Sequence, residues 1–214
     1  MEKSLRPILR QWQTPPGEAR VNVNVNSNGQ GNGSSSQLDP APRAPASFRI
    51  VPERAALVLV ARSNAGPITF GATGIEGSIE AQVGRGSVSL QVPPVARLKV
   101  PIDRLTCGNG VYDAELLRRI DARLFPSATV ELREASPVGS TGRYHVEGEL
   151  TFHGVTRAMA GTVSVSFPAP GRMVIEGEQV LDMRHFEITP PAVAMLRIYP
   201  DVRVQLRLEA DVTH

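Results

Sequence analysis

The sequence predicts an all-β fold: about eight antiparallel strands, closed as a barrel or stacked as a sandwich, with one short helix. Three observations lead there. From Phe48 onward apolar and polar residues alternate with period two through run after run. Turn residues such as Gly84, Gly86, Gly142 and Gly154 separate the runs. Only Asp113 to Ile120 carries clear helical spacing within that region.

The strands follow in order. Ile75, Gly77, Ile79, Ala81 and Val83 alternate with Glu76, Ser78, Glu80 and Gln82, and Ser87 to Val92 returns after a glycine turn. In the helix, Leu116, Leu117 and Ile120 form an apolar stripe. Asp113 suits its N-cap or first turn, where a carboxylate offsets the exposed N–H groups. Strands are then expected over Ala128 to Glu134, Gly142 to Phe152, Val155 to Phe167, Met173 to Asp182 and Val202 to Val212.

The hairpin around His153 and Gly154 is the most informative. Tyr144, Val146, Gly148, Leu150 and Phe152 share one face, continued after the turn by Val155, Met159, Gly161, Val163, Val165 and Phe167. With His153 and Gly154 as the two-residue loop, Phe152 faces Val155, Gly148 faces Met159 and Arg157 faces Leu150. The inward phase also holds Gly77 and Gly177. A strand glycine bends the strand or leaves volume empty, and four in phase predict an internal tunnel. Its lining would be Val, Ile, Leu, Met and Ala with a little Phe, which suits a flexible aliphatic chain better than a stacked ring. Burying such a chain yields ~0.8 kcal/mol per methylene.

An inward guanidinium must reach the barrel end, meet a carboxylate or meet a ligand headgroup. Those alternatives apply to Arg157, and equally to Arg184. The candidate ligand-binding set is therefore Gly77, Tyr144, Val146, Gly148, Leu150, Phe152, Arg157, Met159, Gly161, Val163 and Arg184. Asn109 and Asp113 either line the opposite rim or cap the helix. No catalytic residue is assigned. The four histidines share no ligand spacing, one cysteine makes no thiolate cluster, and no nucleophile elbow, P-loop or dinucleotide fingerprint is present.

Residues 1–46 read as a disordered leader ahead of one domain at 47–214. Asn, Ser, Gly and Pro dominate it, with too few large apolar groups to offset ordering entropy. Within it, Val21 to Asn26 has strand periodicity, and Leu5, Ile8, Leu9 and Trp12 lie at helical spacing. The net charge of +2 belongs to residues 1–47, with five basic and three acidic groups; residues 48–214 hold 18 of each. A neutral domain has no electrostatic reason to bind nucleic acid. No apolar run reaches the ~18–20 residues of a membrane-spanning helix. The start has no secretory h-region, so a cytoplasmic location is expected as written, and a periplasmic or secreted one if the start is misassigned. Cys107 cannot form an intrachain disulfide. A homodimer is compatible with all of this.

"GELTFHGVTRAM" (148–159) resembles the central hairpin of the YceI-like family of lipid- and polyisoprenoid-binding proteins. "ASFRIVPERAALVLVARS" (46–63), "VPIDRLTCGNGVYDAELLRRIDARLFPSATVELRE" (100–134) and "LDMRHFEI" (181–188) resemble further family segments, in order. Arg54 and Ala55 stand where many members carry His-Ser, and Tyr112 where many carry Arg. The resemblance implies a lipocalin-like barrel rather than a sandwich. It also implies non-catalytic binding of an amphipathic lipid, with polyisoprenoids as the ligand class; no cofactor is expected beyond such a bound polyisoprenoid or other lipid. A barrel filled by its own side chains, serving as an interaction module whose leader recruits a partner, is the other reading.

Overall fold

The computed structural model describes residues 44–84, 86–139, 141–190, 192, 193 and 195–213. The expected leader therefore lies outside the described residues apart from 44–46, as do its strand-like and helix-like segments, and Ala46 already opens the first strand. Strands β1 (Ala46–Ile50), β2 (Ala56–Ser63), β3 (Gly66–Thr73), β4 (Glu76–Gly84), β5 (Ser87–Ser89) and β6 (Val95–Pro101) precede helix α1 (Gly110–Arg119). Strands β7 (Ser127–Pro137), β8 (Arg143–Phe152), β9 (Val155–Ala169), β10 (Arg172–Asp182), β11 (Ala192–Val193) and β12 (Leu196–Val212) follow.

The chain closes an eight-stranded antiparallel barrel in the order β1-β4-β6-β7-β8-β9-β10-β12. The ring shuts where Phe48 pairs with Val212 and Ile50 with Ala210. Closure leaves the ring without the unpaired edge that a sandwich must protect. Ile75, Met173 and Leu208 are its largest fully buried side chains. Outside the seam, Arg54 meets Asp211 at 2.5 Å and Glu209 at 3.4 Å, and Arg172 meets Asp211 at 3.2 Å.

The central hairpin has the expected register: Phe152 opposite Val155, Gly148 opposite Met159, Leu150 opposite Arg157. His153 (φ 51°) and Gly154 (φ 75°) both take the left-handed conformation that a two-residue hairpin turn requires.

Strands β3 and β6 were not read from the sequence, and two further elements start well away from the expected positions. Helix α1 starts at Gly110 because Asn109 is its N-cap, accepting from Val111 N (3.0 Å) and Tyr112 N (3.3 Å). Asp113 is thus a first-turn residue. Strand β12 starts at Leu196, six residues early, running through Pro200. Proline cannot donate to a ladder, and the pairing with β2 shifts register between Ile198 and Val202, around it.

The length of β12 determines the shape of one end. Its C-terminal part pairs with β1, and its middle pairs with β2, which carries β3. There the wall is continued by β2 and β3 instead of β1. The outer edge of β3 is covered by the segment before α1: Gly71 and Thr106 exchange backbone hydrogen bonds of 2.8 and 3.1 Å. Ile102 N, in the same segment, donates to Pro126 O at 2.8 Å.

Candidate functional site

This extended end encloses a cavity of about 730 Å³. Its walls are inward positions of successive strands: Leu59 and Ala61 of β2, Ile68 and Phe70 of β3, and Ile198, Val202 and Val204 of β12. Phe152 closes the turn end of β8, and Leu181, Met183, Phe186 and Ile188 come from the end of β10 and the segment after it. Helix α1 lies across the remaining side.

Among the described residues, the polar lining comes from α1: Tyr112, Glu115, Arg118 and Arg119. Glu115 accepts from Arg119 Nε at 2.8 Å and from Arg118 at 2.9 Å. Hydrogen bonds from Arg119 and then Arg118 hold its carboxyl below the usual carboxylate range. The cavity is therefore apolar on its strand walls and carries one ionic cluster on its helical wall.

Asp113 fixes the helix over the cavity. Its carboxylate accepts from the Thr106 hydroxyl (2.6 Å) and from Cys107 N (2.7 Å). Partial burial pushes this carboxyl up, but the bonds from Cys107 and Thr106 outweigh it and hold it below the ordinary range. Burial, and then the neighbouring Asp113 carboxylate, push the Cys107 thiol up and away from the reactive thiolate.

The segment after β10 is locked just as locally. Asp182 accepts from Arg184 N at 2.9 Å and from the Arg184 guanidinium at 2.5 to 3.0 Å. Those Arg184 bonds bring the Asp182 carboxyl down to about 2. Phe186 packs on Phe152 with ring centroids 5.7 Å apart, and the His153 ring Nδ1 lies 3.0 Å from the Phe186 carbonyl oxygen. Within "LDMRHFEI", Arg184 is thus turned outward while Phe186 and Ile188 join the cavity wall.

The structure separates the sequence-predicted site residues. Phe152 lines this cavity. Tyr144, Val146 and Val163 line a second void of about 90 Å³, towards the other end. The two share no lining residue, so the expected full-length tunnel is two compartments. Tyr144 ties β5 to β8, its hydroxyl accepting from Val88 N (3.0 Å) and donating to Val88 O (3.3 Å). Leu150 is buried in the main core and Met159 packs on it.

The glycines do not supply empty volume. A Cβ on Gly148 would lie 2.0 Å from Glu131 O, and one on Gly77 2.1 Å from Arg97 O. Both mark close approaches between strand backbones. A Cβ on Gly161 would sit 3.2 Å from the Gln179 side-chain oxygen.

Arg157 was expected to point inward, yet it is exposed, donating only to its neighbour Thr156 O at 3.1 Å among the bonds described. The cause is local. The β9–β10 ladder runs from Ala169 and Arg172 to Thr162 and Glu178, so the stretch 155–161 has no ladder to β10. Arg157 sits where the wall opens. Arg184 is exposed on its Asp182 clip. Neither arginine lines either void.

Sequence reasoning missed most of the main cavity. Leu59, Ala61, Ile198, Val202 and Val204 do alternate, but a cavity wall and a packed core share that pattern. The ionic cluster on α1 reads in sequence as ordinary i,i+3 and i,i+4 pairing. Among the described residues no three His, Cys, Asp or Glu groups gather as a metal site, and no helix is long and apolar enough to cross a membrane.

Comparison with known proteins follows the fold. Among curated proteins, none matches the sequence. Burkholderia cenocepacia BcnA superposes with a TM-score of 0.63 at 15% identity, over 75% of this chain and 98% of that one. A polyisoprenoid binding domain from Saccharophagus degradans, implicated in plant cell wall breakdown, superposes at 0.63 and 14% identity, over 78% and 99%. The Campylobacter jejuni YCEI protein gives 0.50 at 12% identity, over 95% and 96%. At such identities the likeness speaks for the fold. The profile of the YceI-like domain, however, matches residues 48–210. That span runs from the middle of β1 to the C-terminal part of β12, and with it the chain belongs to the YceI-like family.

Proposed function

We infer that this protein binds an amphipathic lipid without transforming it, its aliphatic tail held in the cavity beneath α1. The carrying observation is the division of that cavity: about 730 Å³ with apolar strand walls and its charged groups gathered on one helix. The volume falls in the range of sites that enclose small ligands, ~300–1,000 Å³. A tail of a dozen buried carbons would gain on the order of 10 kcal/mol before the costs of immobilisation. The Glu115–Arg118–Arg119 cluster offers donors to a headgroup oxygen. The Saccharophagus relative, described as polyisoprenoid binding, favours a prenyl tail.

Native mass spectrometry and organic extraction of the purified protein test this reading. The expected result is a lipid-mass adduct released by solvent. Ala61→Phe, at a cavity-lining position paired with Ile68 and Val202, grows into the void and should fold while retaining less lipid. A wild-type protein that carries no lipid and takes up no added polyprenyl lipid would set the reading aside.

A further inference from the structure

The cavity mouth is bounded on one side by the N-terminus of α1 and on the other by the start of β12. Both sides present large apolar side chains to solvent. Val111 is 76% exposed and Tyr112 43%; Met195, just before β12, is 89% exposed and Tyr199 45%. Val111, Tyr112, Leu196 and Ile198 all line the cavity itself. The exposed apolar surface is thus continuous with the binding space.

Met195 is tied to the β2–β3 turn. Asn64, in the β2–β3 turn, donates through its side chain to Met195 O at 2.8 Å and accepts from Arg197 N at 2.9 Å. The backbone at the exposed Met195 and at Arg197 is therefore held by Asn64.

Outside the body of helix α1, the segments that border this rim carry charge of one sign. Residues 55–75 and 188–200 contain no Asp or Glu and one arginine each, Arg62 and Arg197; residues 105–112 contain no charge. Both arginines are exposed, and Arg62 lies 6.0 Å from the centre of the Tyr199 ring. The domain as a whole balances its charges, so these acid-free segments are a local feature. Apolar tips, rim tyrosines and arginines in acid-free segments match the chemistry of a bilayer interface with anionic headgroups.

We propose that this protein docks its cavity mouth on an anionic lipid bilayer, with Met195, Val111 and Tyr112 entering the headgroup region and Arg62 and Arg197 contacting lipid phosphates. The proposal rests on the lipid-binding reading for its purpose: a tail passing between bilayer and cavity would not cross water. Its geometry stands independently of that purpose.

The test is flotation of the purified full chain with vesicles of phosphatidylcholine alone and of phosphatidylcholine mixed with phosphatidylglycerol. Binding is expected to the mixed vesicles and to weaken with salt. Met195→Glu should abolish most of it, and Arg62→Gln and Arg197→Gln should each weaken it roughly fivefold. None of these three residues lines the cavity, so all three variants should melt as wild type and retain whatever lipid copurifies. Wild-type binding lost in Met195→Glu supports docking even if no prenyl lipid is ever extracted, which would count only against the function proposed above. Absence of vesicle binding, or equal binding by all variants, overturns the docking proposal. So does a concentration-dependent dimer that Met195→Glu dissolves without a change in vesicle binding, since a second copy would then own the patch.

Discussion

Gly148 lies opposite the irregularity in β7, where the pairing slips between Leu132 and Glu134. Its missing side chain admits the β7 backbone, with Glu131 O 2.0 Å and the Leu132 Cα 2.8 Å from where a Cβ would stand. Gly161, on the facing strand, would meet only the end of Gln179. Two alanine substitutions in the same hairpin should therefore diverge. Gly148→Ala is expected to cost more than about 2 kcal/mol, since backbone must move. Gly161→Ala should stay within about 1 kcal/mol, because Gln179 swings aside and alanine restricts the unfolded chain. Urea unfolding measures both, and equal losses would contradict the geometry. Asp182 gives a second test at this scale. Its carboxyl sits at about 2 against an ordinary 3.8 because Arg184 donates to it. A lowered folded value means that the clip contributes stability above the unfolded pKa and loses it as pH falls from about 3.8 towards about 2. Carbon-detected NMR titration should place the Asp182 midpoint near 2 in wild type and near the ordinary value in Arg184→Ala.

Helix α1 shows how much of an element sequence can convey. The stripe of Leu116, Leu117 and Ile120 was legible, and all three side chains contribute to the core. The start was not, because Asn109 and Asp113 are both acceptable caps and only the fold assigns them. Asn109 closes the helix, while Asp113 reaches back to Thr106, which pairs with β3. Asp113 is thereby the clasp between the roof of the cavity and its β3 wall. Asp113→Ala leaves the Cys107 N–H and the Thr106 hydroxyl without this acceptor, at a cost of about 1–3 kcal/mol. Hydrogen exchange should quicken across residues 106–116 and leave the β8–β9 hairpin unchanged. Uniform quickening along the chain would mean that the carboxylate supports the barrel rather than the roof.

At the scale of the whole molecule, the ring was legible and the site mostly was not, for a common reason. Period-two alternation states which side chains point inward, as Phe152 opposite Val155 and Gly148 opposite Met159 bear out. It does not state whether the inward space is filled. Tyr144 and Val146 face a void of about 90 Å³ at one end, while Leu59 and Val204, with the same alternation, face about 730 Å³ at the other. The difference arises where β12 exchanges β1 for β2 as its partner, a choice made by tertiary pairing. That closure lies wholly within the described residues: β1 begins at Ala46, and Thr213 N, beyond β12, donates to Ser47 O at 2.8 Å. Among the described residues, all of which follow Arg43, the ring's ladders and the main cavity's walls are complete. A chain beginning at Ala44 is therefore expected to unfold within a few degrees of the full chain and to retain the same extractable lipid. For a domain of this size a shift of ~2–4 °C corresponds to about 1 kcal/mol, so differential scanning calorimetry resolves the outcome. A larger fall in melting temperature would show that residues 1–43 contribute to the folded barrel. Loss of lipid at an unchanged melting temperature would assign them to the binding site instead.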